Sequence, residues 1–90
     1  MQPVGEAYLK QCRAGVEKRA PDEAVLTGYD HAHMLTYARL LDAERDGHEW
    51  SDVAVEVLDL DISADCEGAR RCWASHLERA HWLVREGFAT

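Results

Sequence analysis

Three sets of side chains in this 90-residue chain are of types that do chemistry. His31 and His33, and Cys72 with His76 at i, i+4, offer imidazole and thiol ligands for a transition metal. No carboxylate at ligand spacing completes either pair, and Cys72 and His76 flank an apolar stripe, so a packed histidine and a buried thiol are the expected roles. The acids Asp59, Asp61, Asp65 and Glu67 crowd the stretch "LDLDISADCEGARR", residues 58–71. Paired carboxylates do acid–base work only in a defined pocket. With no nucleophile elbow or phosphate loop in the chain, these acids read as a solvated face, and as an acidic turn that disfavours DNA. Arg70, Arg71 and Ser75, on the early turns of a long helix, suit phosphate oxygens and base edges. An enzyme is not expected, and no cofactor, metal or small-molecule ligand is implied.

Helices must position these groups. Residues 31–46, "HAHMLTYARLLDAERD", place Met34, Ala38 and Leu41 on one stripe widened by Leu35, with Asp30 as N-cap and Gly47 as the stop. A second helix starts in "WSDVAVEVL", with Ser51 as N-cap and Val53, Ala54, Val57 and Leu58 on one face. The alternation in "DVAVEVLDLDI" would also suit a strand, but a lone strand has no partner in this chain. The third and longest helix is expected over about 66–86, capped by Asp65 or Ser63, ended by Gly87, with Phe88 folding back. At about 100° per residue, Ala69, Trp73, Leu77, Ala80 and Val84 share a core face, with Cys72, His76 and Leu83 beside it. Arg71, Ser75, Glu78, Trp82 and Glu86 point away. Pro3, Gly5, Gly15 and Pro21 break the periodicity of residues 1–24, which are expected as a flexible or marginally helical arm before a domain over 25–90. Val25, Leu26 and Tyr29 are expected to tuck against the body.

Charge is distributed unevenly. Residues 1–20 carry four basic and two acidic side chains, residues 21–69 two basic and thirteen acidic, and residues 70–90 four basic and two acidic, for a net −7. A block of −11 in mid-chain repels a phosphate backbone and favours a basic protein surface. Many acidic domains are also acidic simply for solubility. Three cysteines, Cys12, Cys66 and Cys72, without a CxxC pair point to reduced thiols. With no basic start ahead of an apolar run and no span of roughly 20 apolar residues, the expected protein is soluble, cytoplasmic and not membrane-bound.

The order short helix, turn, long helix with basic residues at its start is a helix-turn-helix layout, although the connection is longer than the usual three or four residues. "YDHAHMLTYARLLDAERDGHEWSDVAVEVLDLD" followed by "ARRCWASHLERAHWLVREGF" resembles a proteobacterial family, long labelled a domain of unknown function, that is an extended-turn variant of the helix-turn-helix. The resemblance covers about residues 27–88. It implies an all-α domain of the kind fused behind a second, N-terminal domain in FseA-type activators of conjugative elements, and found alone in QseM-type antiactivators. The stand-alone length and acidic charge are similar to the second kind. By that resemblance the expected partner is the N-terminal domain of a transcriptional activator, and nucleic acid is not expected. The alternative is a small DNA-binding regulator using Arg70, Arg71 and Ser75.

Candidate partner contacts are the residues that fall off the apolar stripes. Trp82 and Arg85 are of the types most enriched at interface centres, and Tyr37, Leu40 and Val55 join them. Against this stands ordinary packing, with Trp82 covered by the N-terminal arm or by Phe88. Replacing Trp73 or Leu77 by alanine is expected to cost roughly 2–5 kcal/mol. Reversing Asp61, Asp65 and Glu67 to lysine is expected to leave folding intact.

Overall fold

Helices carry all the regular structure among the described residues, 15–87 of the chain, in a computed structural model. The domain is small and all-α. Helix α1 spans Gly28–Ala32 and α2 spans Met34–Arg45. Helix α3 covers Trp50–Glu56 and α4 covers Cys66–Trp82, passing into a π-helical turn over Leu83–Gly87. Both α2 and α3 pack on α4, and the core between them holds Tyr37, Leu40, Ala43, Val53, Leu58, Ala80 and Leu83.

Local chemistry sets each boundary. Thr27 and Asp30 form a capping box at α1: Asp30 N–H donates to Thr27 Oγ1 at 3.1 Å, and Thr27 N–H donates to Asp30 Oδ2 at 3.0 Å. His33, with φ −115° and ψ 22°, interrupts the helix before α2 begins. The single helix expected over 31–46 is thus two, starting at Gly28, with Thr27 rather than Asp30 as cap. At the end of α2, His48 N–H reaches Ala43 O at 3.0 Å and Gly47 N–H reaches Glu44 O at 3.1 Å. With Gly47 at φ +79°, this is a Schellman closure, and glycine takes the left-handed position without a Cβ penalty. Helix α3 starts one residue before the expected cap, at Trp50, which places Ser51 in its first turn.

Two helical faces differ from those expected. On α2 the buried residues are Tyr37, Leu40 and Ala43; Met34 and Leu41 only flank them, Ala38 is exposed, and Leu35 is 64% exposed. Tyr37 can turn inward because its hydroxyl donates to Asp30 Oδ1 at 2.9 Å, which satisfies a group that would otherwise be left dry. On α4 the buried set is Ala69, Cys72, His76, Arg79 and Ala80, continued by Leu83, while Trp73 and Leu77 are half-buried and Val84 is 60% exposed. The face is rotated because the chain before α1 packs along the Cys72–His76 side. Residues 15–24 contain no helix and run as coil across α4, with Val16 against the core. Residues 1–14 of the expected arm, and Phe88, lie outside the described residues.

Candidate interaction face of the long helix

The connection between α3 and α4, residues 57–65, is built by its own acids. Asp59 takes the left-handed conformation (φ 57°) that turns the chain out of α3, and Leu60 N–H bonds back to Ala54 O at 3.0 Å. Asp61 Oδ1 accepts from the Ser63 hydroxyl at 2.6 Å, from Ser63 N–H at 3.1 Å and from Ala64 N–H at 3.3 Å, an Asx-turn. The Ser63 hydroxyl bond, with the Ala64 amide, holds the Asp61 carboxyl below its ordinary range. Asp65 caps α4 by accepting from Gly68 N–H at 2.9 Å, at the end where the helix dipole favours a negative charge. Asp61 and Asp65 are therefore structural, and reversing them to lysine would remove a turn and a cap, so the triple reversal is expected to lower stability by about 1 kcal/mol or more.

The three candidate DNA contacts are engaged within the chain. The Arg70 guanidinium lies over the Trp50 ring, 5.4 Å from its centroid, and Trp50 in turn meets Trp73 at 5.9 Å. Arg71 Nη1 stands 3.5 Å from Glu67 Oε1, an exposed i, i+4 pair of little energetic weight. Ser75 Oγ accepts from Ala20 N–H at 3.0 Å and donates to Cys72 O at 3.0 Å. Beside it, the Cys72 thiol donates to Glu17 O at 3.3 Å. Residues 16–19 line one wall of a groove of about 1010 Å³, with Asp61, Arg71, Ser75 and Glu78 among those opposite.

Sequence reasoning missed the polar centre beneath this face. Arg79 and Asp30 are both at most 5% exposed, and they form a side-on pair: Nη2 to Oδ2 at 2.6 Å and Nε to Oδ1 at 3.1 Å. Arg79 also donates to Glu23 O at 2.6 Å and Val25 O at 2.8 Å, which pins the coil ahead of α1. Its guanidinium covers the Trp82 ring at 4.1 Å. Burial pushes the Asp30 carboxyl up, but hydrogen bonds from Arg79, Thr27 and Tyr37 outweigh it and hold the group at about 2. Tyr37 is pushed upward by burial and by the adjacent carboxylate. The one local signal was the Thr27-x-x-Asp30 spacing of a capping box; the 49-residue separation of Asp30 and Arg79 leaves no periodic trace.

His76, fully buried, completes the network. Its Nδ1 is 2.7 Å from Cys72 O, an atom that can only accept, so Nδ1 carries the proton and Nε2 accepts from the Tyr29 hydroxyl at 2.7 Å. Tyr29 Oη in turn accepts from Glu17 N–H at 2.9 Å. Burial lowers the imidazole below its ordinary value and raises the Cys72 thiol. The packed histidine and buried thiol are thus in place. Among the described residues no three metal-ligating side chains gather.

Three of the expected partner-contact residues, Tyr37, Leu40 and Trp82, meet in or against the core and do not form a surface patch. Tyr37 and Leu40 are core residues, 3% and 1% exposed, and cannot meet a partner without unfolding; they turned inward because the α2 face is centred on them. Trp82 is half-buried against the core under Arg79, so it belongs to packing more than its helical phase suggested. Val55, 45% exposed on α3, and Arg85, exposed in the π-helical turn, remain on the surface. Of the loop side chains expected to tuck in, Leu26 packs on the core and Tyr29 is half-buried, but Val25 is 62% exposed. No helix among the described residues is long and apolar enough to cross a membrane. Comparisons with protein-family models, curated protein sequences and solved structures return no match for this chain.

Proposed function

We propose that this chain is an antiactivator: it binds the N-terminal domain of a transcriptional activator of conjugative transfer, takes the docking place of the activator's own helical domain, and leaves DNA alone. The resemblance of residues 27–88 to the extended-turn family supplies the partner. The observation that carries the rest is the covered side of α4. A bare α-helix is already about 10–12 Å across with its side chains, and a major groove is about 12 Å wide. A helix with residues 16–20 bonded along the side that bears Ser75 is too broad to seat there. The helix N-terminus, a ready phosphate site when open, is closed by the Asp65 carboxylate. Three bases and four acids line the groove at this face, which gives a phosphate backbone no net attraction.

Titration of the full chain against the N-terminal domain of the cognate activator tests the reading, with binding expected at micromolar concentration or tighter. Absence of binding in that range refutes it. Duplex DNA gives the second arm. The antiactivator shifts no duplex at low salt, whereas a DNA reader binds with an affinity that falls steeply as salt rises.

A further inference from the structure

Segment 16–20 is held by Val16 against the core and by hydrogen bonds that gather in one small polar cluster. Ala20 N–H meets Ser75 Oγ, Glu17 O accepts the Cys72 thiol, and Glu17 N–H meets the Tyr29 hydroxyl, which is itself oriented by His76 Nε2. The segment has no secondary structure of its own. Beyond Pro21 the coil is held differently, by the Arg79 guanidinium on Glu23 O and Val25 O. We propose that residues 16–20 are a strap latched over α4 by neutral His76, and that protonation of His76 unlatches it while Arg79 keeps Glu23 and Val25 in place. This inference stands apart from the antiactivator reading.

The argument is one of hydrogen-bond direction. In the neutral ring Nδ1–H is committed to Cys72 O, so Nε2 must accept, and the Tyr29 proton points at it. A second ring proton on Nε2 meets that O–H head-on. Tyr29 must then swing its proton away from the His76 nitrogen that accepts it, and a cation must lie in a dry site. Admitting water resolves both, and the cheapest element to lift is the coil segment with few contacts. Around His76 stand the Cys72 thiol and Ser75 on its own helix, Tyr29 and His33 ahead of α2, Tyr37 on α2, and Glu17 on the strap. The Asp30 carboxylate nearby is already matched by Arg79 through two bonds and does not compensate the imidazolium. His33 opposes a second positive charge.

Cys72 reports the strap because it is buried with its thiol on Glu17 O. In the full chain with Cys12 and Cys66 replaced by serine, the labelling rate of Cys72 by a dithiodipyridine is measured at about pH 7.5 and pH 5.5. Each rate is divided by that of the urea-unfolded protein at the same pH, which removes the intrinsic pH dependence of the thiol. A solvated imidazole titrates near 6.5, so opening is favoured by up to about tenfold more at the lower pH. The ratio is expected to rise several-fold, to stay flat up to about 1 M urea because a short strap exposes little surface, and to lose its pH step in His76→Gln. If His76→Gln fails to fold, Tyr29→Phe serves: it removes the latch and should give fast labelling at both pH values. Equal ratios at the two pH values overturn the proposal. So does a pH step that survives in a folded His76→Gln, or a rate rising steeply with urea, which marks global unfolding.

Discussion

Replacing Arg79 by methionine keeps an unbranched stem against Trp82 and removes a buried cation with all of its partners in place. Asp30 would lose two of its five donors, and Glu23 O and Val25 O would each lose one. Breaking a buried, hydrogen-bonded pair from one side typically costs about 3–5 kcal/mol, because the remaining charge stays dry and unmatched. A domain of this length has roughly 5–13 kcal/mol in total, so Arg79→Met should take away a large part of it. At about 4–8 °C per kcal/mol for a domain this small, the midpoint should fall by roughly 12 °C or more. Asp30→Asn should cost a similar amount, since its amide would point a donor at the Arg79 donors. The double variant should cost clearly less than the two singles together, with a coupling of about 2 kcal/mol or more. Arg79→Lys should recover only part, as one ammonium cannot reproduce the side-on pair and reach both carbonyls. Urea unfolding followed by far-UV circular dichroism, arranged as a double-mutant cycle, reads all four. Single losses below about 1 kcal/mol, the size of an exposed pair, or strict additivity would refute the placement of this pair at the centre of the fold.

Further outcomes follow from the same contacts. The Asp30 carboxyl is depressed from 3.8 to about 2, so its contribution is present above pH 4 and is lost as pH falls towards 2. The half-buried imidazole of His33 and the buried one of His76 are also depressed, and the unfolded chain takes up their protons first; stability is full well above about 6.5 and erodes as pH drops below it. Urea midpoints at about pH 7.5, 5.5 and 3 should therefore fall in that order, and a flat profile would contradict both assignments. Asp65→Ala should cost about 1 kcal/mol through the lost cap. Gly68→Ala should be near neutral, since its Cβ collides with the Asp65 carboxylate and a helix gain of about 1 kcal/mol is offset by a displaced cap. Leu40→Ala, Leu58→Ala and Leu83→Ala, at fully buried sites, should each cost about 2–5 kcal/mol, and the half-buried Leu77→Ala less than any of them.

What the sequence disclosed was local. Asp65 as the cap of the long helix, Gly47 as a stop, and the inward face of Val53, Ala54, Val57 and Leu58 all follow from interactions within one or two turns. The faces of α2 and α4 were misplaced because their burial is set from outside the helix. Tyr37 is buried because Asp30 waits for its hydroxyl, and the α4 face shifts because coil from residues 15–24 packs beside Cys72 and His76. An arginine in a helix reads as surface, and only its partners 49 to 56 residues away make Arg79 a core residue. Tyr37 and Leu40 drop out of the candidate contact residues for the same reason: by helical phase they are displaced from a stripe whose true centre they are.

The same accounting changes the meaning of the acidic block. Of its thirteen carboxylates, Asp30 is matched inside the protein, Asp61 and Asp65 shape a turn and a cap, Glu67 faces Arg71, and Glu44 holds His81 at 2.7 Å. Arg79 and Arg71 offset Asp30 and Glu67, but Asp61 and Asp65 keep their charge at the groove beside α4. Asp42, Asp46, Asp52 and Glu56 also gather at a groove of about 370 Å³ lined by Ala43, Val53 and Val57, with Arg39 and His48 in its lining and Arg45 paired to Asp42 and Asp46 at 3.4 Å. Low-dielectric walls concentrate potential in such a groove, within a screening length of about 8 Å. Val55, the exposed apolar residue of α3, sits next to Glu56 in the chain and belongs to this element. The negative charge therefore bears on the antiactivator reading in two separable ways. At α4 it adds to the closure by the strap and the Asp65 cap, since the groove there carries more acids than bases. At α2 and α3 the antiactivator reading predicts an effect on encounter: a basic protein partner steered there would associate more slowly as salt rises.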